Sequence, residues 1–166
     1  MNKQALTTLI EHNFWANDRI LAACDALTHE QFVGDVTPDP GWGTLRGILV
    51  HALDTEYGWR AVVEAHDEDI IMEAEDFADV IALRARWTAE KAAWLAFIGQ
   101  LTDAQLLGGY GDDPQDGPAI WQTIMHVLLH STQHRSEAAT FLTGYGHSPG
   151  EIDFGQFLKA QADASQ

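Results

Sequence analysis

Apolar residues recur every three or four positions along most of the chain, which is the spacing of an α-helix with one buried face. The first stripe predicts a helix over residues 2–27. A second helix is predicted over 44–66, after the breaker-rich segment 38–43. The same spacing predicts a third helix over 80–101 and a fourth over 118–144, the last lying between a proline and a glycine.

Two short segments, residues 27–32 and 101–106, resemble each other, and each contains a Thr-x-x-Gln pattern. This pattern is typical of a capping box and predicts a short helix. Each segment follows a long helix and precedes a histidine-bearing one, and the loops are long enough to cross over. Nothing in the pattern indicates strands. We predict an all-α fold, a four-helix bundle with long crossover loops, followed by a short amphipathic tail around Phe154, Phe157 and Leu158.

Length and charge limit the number of domains and the kind of partner. The chain has 166 residues, nearly half of them hydrophobic, so we predict one domain over residues 1–166. Its formal net charge of -16 would repel a phosphate backbone and anionic lipids. The longest near-apolar stretch, 92–98, is too short to span a bilayer. We expect a small-molecule substrate as partner, no nucleic acid and no membrane.

The N-terminal region does not resemble a secretion signal. Polar residues interrupt the first twenty positions, where a secretion signal would need an uninterrupted apolar core, so we expect a cytoplasmic protein. The single cysteine, Cys24, cannot form an internal disulfide and falls on the apolar stripe of the first predicted helix. We therefore predict a buried, unreactive thiol and not a nucleophile.

Three histidines, His126, His130 and His134, recur every four residues in the fourth predicted helix, which places them on one face. Neutral imidazole is the commonest protein ligand for first-row metals, so this spacing indicates a metal site. On a helical wheel His134 lies closest to the apolar centre and His126 farthest from it. We assign the ligand pair to His130 and His134, although the wheel alone does not exclude His126.

A third ligand is expected from a facing helix, because two ligands seldom hold a metal. His51 lies in the middle of the second predicted helix beside its apolar stripe, and His12 in the first helix is a weaker alternative. The remaining histidines fall in or beside loops, where a solvated imidazole needs no function: His29, His66 and His147. The competing interpretation is that histidines bordering an apolar face are only satisfied polar residues.

Motifs for other chemistries are absent from the sequence. It contains no Gly-rich phosphate loop and no Gly-x-Ser-x-Gly nucleophile elbow. His126 and His130 are followed by Val and Ser, so the His-Glu-x-x-His pattern of zinc proteases is missing as well. We assign no catalytic side chain and no organic cofactor.

Three segments together resemble the DinB/YfiT-like superfamily of metal-binding four-helix proteins over nearly the whole chain. They are Asn-Phe-Trp-Ala-Asn-Asp-Arg-Ile-Leu at 13–21, Trp-Gly-Thr-Leu-Arg-Gly-Ile-Leu-Val-His at 42–51, and His-Ser-Thr-Gln-His-Arg at 130–135. The resemblance implies a divalent ion held by His51, His130 and His134, which agrees with the helical wheel. The ion would be Zn, Ni, Fe or Mn, since three imidazoles suit each of these metals.

The sequence departs from the family pattern at Ser136-Glu137, where the family commonly has Gly-Gln. Glu137 lies one turn beyond His134 on the ligand side of the helix. Its carboxylate would either accept a proton from a metal-bound water or a histidine N–H, or belong to a surface residue. We expect the surface position.

The resemblance implies a metal-dependent enzyme that activates a thiol or water, of the thiol S-transferase and detoxification type. Trp or Tyr side chains would shape an apolar pocket at the mouth of the metal site. The substrate would include a low-molecular-weight thiol, and a homodimer is expected. The alternatives are a metal-dependent hydrolase and a noncatalytic, stress-associated protein with a structural metal.

Overall fold

A computed structural model describes residues 2–65, 70–110 and 117–164. This part of the chain forms seven α-helices and one 3₁₀ turn, Ala74–Asp76, and it contains no β-strand. The helices are α1 (Lys3–Cys24), α2 (His29–Val33), α3 (Leu45–Val63), α4 (Val80–Gln100), α5 (Asp103–Leu106), α6 (Ile120–Gly144) and α7 (Phe154–Ala164). The all-α prediction is confirmed.

The four long helices α1, α3, α4 and α6 form the bundle. α6 packs against α3 and α1, and α4 packs against the same two helices from the other side. The consecutive long helices α1 and α3 therefore lie across a diagonal of the bundle, as do α4 and α6. The connections that contain α2 and α5 must cross the end of the bundle, as the loop lengths predict.

Side-chain caps determine where several helices begin. Asn2, Thr44 and Asp79 each accept a hydrogen bond from the backbone N–H three residues later, at the start of α1, α3 and α4. The two predicted capping boxes are confirmed, because Thr28 and Thr102 both exchange reciprocal hydrogen bonds with the glutamine three residues on.

Three helix ends differ from the prediction. α1 ends at Cys24, so that Thr28 is free to cap α2. α3 ends at Val63, before its predicted end near His66, and Ala65 has a φ of 56°; His66 itself lies outside the described residues. At the end of α6 the left-handed residue is Gly146, with φ 86°, and not the predicted Gly144. The N–H groups of residues 146 and 147 there satisfy two of the last carbonyl oxygens.

The predicted tail is the helix α7, which packs against α1. Phe157 is buried, and the His12 ring lies 5.6 Å from it and 5.4 Å from Phe154, centre to centre. His12 Nε2 is also 3.1 Å from the carbonyl oxygen of Ile152. His12 therefore fastens the tail.

Cys24 is buried in the core, as the sequence predicts. It is 1% exposed, and burial raises the pKa of its thiol to about 12, so it stays protonated.

No helix within the described ranges is long and apolar enough to cross a membrane.

A buried carboxylate, Glu56 of α3, joins the bundle through polar contacts. It is fully buried and accepts four side-chain hydrogen bonds from three other helices. Asn13 and Asn17 of α1 donate to Oε1 at 2.7 and 3.1 Å, Ser131 of α6 donates to Oε1 at 2.8 Å, and Trp87 of α4 donates to Oε2 at 2.6 Å. Burial raises the pKa of this carboxyl, and the four hydrogen bonds oppose that shift.

Arg135 of α6 is the cationic partner of this network, and it is 3% exposed. Its guanidinium donates to the side-chain oxygens of Asn13 and Asn17, whose amide N–H groups donate to Glu56. Burial lowers the pKa of Arg135 to about 10, which still leaves it charged at neutral pH. Two amides therefore bridge the carboxyl group of Glu56 and the guanidinium of Arg135.

We predict that Glu56→Ala destabilises the fold by about 3–5 kcal/mol. It leaves four buried donors without their acceptor and removes the carboxyl group nearest to the buried Arg135 network. Urea unfolding followed by circular dichroism measures the change. Glu75→Ala is the control, since Glu75 is 78% exposed in its ion pair with Arg46, and it should cost less than about 1 kcal/mol. Equal stability of the two variants would contradict the role assigned to the network.

Candidate metal centre

Three histidine side chains from two helices converge at one side of the bundle. His51 of α3 meets His130 and His134 of α6. The Nε2 atom of His130 lies 3.1 Å from Nε2 of His51 and 3.2 Å from Nε2 of His134. The three potential donor atoms all lie within 4.8 Å of one another. The structure therefore brings together the three histidines chosen from the sequence.

Burial along α6 follows the helical wheel. His134 is 4% exposed, His130 is half-buried and His126 is exposed. The predicted order of burial is confirmed. The His126 ring packs against Trp59, 5.4 Å away centre to centre, and is absent from the cluster of potential donors.

The nitrogen contacts fit a shared cation better than they fit hydrogen bonds. A ring nitrogen carries either a proton or a lone pair, so His130 Nε2 cannot donate to one neighbour while accepting from the other. Three lone pairs can instead point at one ion. In a tetrahedral site with metal–nitrogen bonds of about 2.0–2.1 Å, two ligand nitrogens lie about 3.3–3.4 Å apart. The observed separations of 3.1 and 3.2 Å are close to that value.

The protonation state of the cluster also suits a metal. Burial, and then the neighbouring histidines, lower the pKa of both His51 and His130 to about 4. Both rings are therefore neutral at pH 7 and keep a lone pair for a ligand bond.

Glu137 forms a hydrogen bond with one of the three histidines. Its Oε2 lies 2.6 Å from Nδ1 of His134, and its side chain is only 23% exposed. The expectation that Glu137 is a surface residue is therefore wrong. With the proton on Nδ1, the Nε2 atom of His134 presents its lone pair to the other two rings.

Trp42 covers His51, a contact that the sequence analysis did not identify. The two rings are stacked 3.4 Å apart at an angle of 13°, and Trp42 is 39% exposed. Asp39 Oδ1 holds the loop by accepting the N–H groups of residues 41–43 at 2.8–2.9 Å. The carbonyl oxygen of Trp42 lies against Gly47 of α3. This contact requires glycine, because a Cβ atom at position 47 would lie 2.1 Å from that oxygen.

His130 is the least supported of the three rings. Its Nδ1 atom is buried and has no hydrogen-bond partner among residues 2–65, 70–110 and 117–164. The three histidines are therefore held differently: His134 by a carboxylate, His51 by a stacked indole, and His130 by packing.

A cavity of about 590 Å³ lies beside the cluster, between the loop 35–40 and the C-terminal half of α6. Glu137 forms part of its wall, and Phe141 and Tyr145 supply aromatic surface. Trp42 follows two residues after this lining segment. One loop therefore both lines the cavity and places the indole over His51.

The histidines assigned to loops from the sequence do not join the cluster where they are described. His29 is exposed and His147 is partly exposed. The prediction for His66 lies outside the described residues. His12, the weaker alternative as a ligand, packs against α7 instead.

A sequence model of the DinB family matches residues 1–165 of the chain. The chain belongs to the DinB family. No curated protein matches the sequence. Membership in the DinB family and the cluster of three histidines are compatible with metal binding.

We predict that the metal-free protein loses stability as the pH falls from about 6.5 to about 4. The lowered pKa values of His51 and His130 mean that the unfolded chain binds more protons than the folded chain in this window. Melting temperatures of chelator-treated protein at pH 7.5, 6.0 and 5.0 measure the effect.

The double variant His51→Gln/His130→Gln is the control for this pH dependence. It should show a shallower fall, because the two titrating rings are gone while other acidic groups remain. An unchanged slope in the double variant would show that these two histidines do not cause the effect.

Proposed function

We propose that His51, His130 and His134 bind one divalent metal ion in a metal-dependent enzyme that activates a thiol or water. The convergence of three Nε2 atoms, with neighbours at 3.1 and 3.2 Å, carries this proposal. Neutral imidazoles in such a cluster are typical of a metal site, because each lone pair needs a cation or a proton donor as its partner.

Three neutral ligands suit catalysis. They leave an ion its full positive charge, and such an ion supplies Lewis acidity that lowers the pKa of water or of a thiol. In the described part of the chain the cluster contains three donor residues, one fewer than a closed tetrahedral structural site uses. This donor count supports an open position for a reactant.

The bundle has its own means of staying folded, which argues against a metal that serves only as a staple. The Glu56 network joins α3 to α1, α4 and α6. Arg60 of α3 adds a bidentate, largely buried pair with Glu90 of α4, with N–O distances of 2.5 and 3.0 Å. Neither contact involves the three histidines.

For the substrate we propose a low-molecular-weight thiol, transferred to an electrophile in a detoxifying reaction. His51 and His130 are only half-buried, so a small reactant reaches the cluster from solvent. The formal charge of -16 disfavours a polyanionic substrate, because the overall field slows its approach. Hydrolysis is the second candidate, since the same open position would accept water.

The identity of the ion and the assembly state belong to the same proposal. Zn, Ni, Fe and Mn all accept three imidazoles, so availability would decide which metal occupies the site. We also propose a homodimer, since two-fold dimers are the commonest assembly of soluble oligomers. Sedimentation velocity distinguishes a dimer from a monomer.

We predict about one divalent ion per chain in untagged protein, and its loss in His51→Ala, His130→Ala and His134→Ala. Each variant removes one of three donors, and two imidazoles seldom retain a metal. Elemental analysis after reconstitution and gel filtration measures the stoichiometry.

His126→Ala is the matched control, because His126 lies on the same helix but is exposed and outside the cluster. It should keep the ion. An equal loss in all four variants, or no metal in the reconstituted wild type, would refute the proposed site.

We predict that chelation leaves a helical, cooperatively unfolding protein but abolishes thiol transfer to an electrophilic chloroarene. The reaction forms a carbon–sulfur bond, breaks the carbon–chlorine bond and releases chloride and the thiol proton, so absorbance of the thioether and chloride release both report it. The fold should survive because its buried polar networks do not use the histidines. Collapse of the helical circular dichroism on chelation would instead identify a structural metal.

A further inference from the structure

We propose that Glu137 is a positioning residue, whose hydrogen bond holds His134 in the orientation and tautomer that present Nε2 to the metal. This inference rests on the proposed metal site. It adds a requirement outside the three ligands, and it concerns a side chain that the sequence analysis expected at the surface.

The geometry of Glu137 supports a fixed contact with His134. The two residues lie three positions apart on α6, so their side chains leave the same face of the helix. Glu137 Oε2 lies 2.6 Å from His134 Nδ1, and Gln133 donates to Glu137 Oε1 at 3.2 Å. Both carboxylate oxygens are therefore engaged, which limits rotation of the side chain that carries them.

The hydrogen bond determines which nitrogen of His134 carries the proton. A carboxylate only accepts, so the proton lies on Nδ1 and the lone pair on Nε2. The latter atom is the one that lies 3.2 Å from His130 Nε2. Without the carboxylate the two tautomers would compete, and the ring of His134 would be free to flip.

Glu137 also brings a negative charge to one of the proposed ligands. Its Oε2 lies 2.6 Å from His134 Nδ1, so its hydrogen bond to that ring would make the ring a better donor to a cation.

The contrast with His130 shows why this contact matters. His130 Nδ1 is buried without a hydrogen-bond partner in the described ranges, so no acceptor orients that ring. His134 is more deeply buried and does have an acceptor. We therefore expect His134 to be the pre-set ligand of the three.

The experiment compares wild type, E137A, E137Q and Ser136→Ala. Zinc affinity is measured by competition with a chromophoric chelator, and the cobalt-loaded proteins are compared by visible absorption. Removing a partner of this kind typically weakens metal binding by about 10–100-fold, which we expect for E137A together with a changed cobalt spectrum. The amide oxygen in E137Q can accept the same hydrogen bond, so this variant should lose less than about tenfold.

Ser136→Ala is the matched control, since Ser136 is exposed beside Glu137 and its hydroxyl donates to the backbone carbonyl oxygen of Thr132. Its affinity and spectrum should equal those of wild type, and all four metal-free proteins should show the same helical circular dichroism. Wild-type affinity and spectrum in E137A would overturn the inference, as would an E137Q loss as large as that of E137A. Failure of wild type to bind zinc or cobalt would instead refute the proposed metal site itself.

Discussion

The hydrogen bonds to the buried Glu56 carboxylate set the relative positions of the helices on which the site depends. Ser131 lies between His130 and His134 in the sequence and donates to Glu56 at 2.8 Å. On an α-helix this contact fixes the rotation of α6 about its axis. Once Ser131 faces the core, His130 and His134 lie on one flank of that face and turn towards α3, where His51 lies.

Arg135 lies one helical turn beyond Ser131 and fixes the same rotation of α6 about its axis. It reaches Glu56 only through Asn13 and Asn17, so the network ties α6 to α1 as well as to α3. A buried charge without these partners would cost several kcal/mol, so slippage of α6 by one residue is strongly disfavoured. The inner side of the site is therefore rigid, while its outer side depends on a loop and on half-exposed side chains.

Much of this arrangement could be predicted from the sequence, because helices and their buried faces are local patterns. The long helices, both capping boxes and the order of burial along the histidine helix follow from spacing alone. The Glu56 network does not, since periodicity indicates that a polar residue lies near the core but not which distant side chain satisfies it. Two asparagines four residues apart on an otherwise apolar face were the available signal.

The contacts of Trp42 and Glu137 could not be predicted from the sequence, for two different reasons. The Trp42 stack depends on the path of an irregular loop, for which the helix periodicity gives no guide; Gly47 was the one local clue to a close approach. The role of Glu137 depends on its side-chain rotamer. Sequence spacing does not show whether that rotamer points to His134 or to solvent. Such contacts become visible only when the backbone is in place.

The crossover topology divides the three histidines unequally between the two halves of the chain. The first helix–loop–helix half supplies one imidazole and the second supplies two, and the diagonal placement of consecutive helices brings them together only across the α3–α6 interface. Neither half by itself contains the complete set of donors. The donor set therefore forms only when the two halves have packed together, and an ion that recognises all three discriminates the finished tertiary structure from a collapsed chain with the same helices.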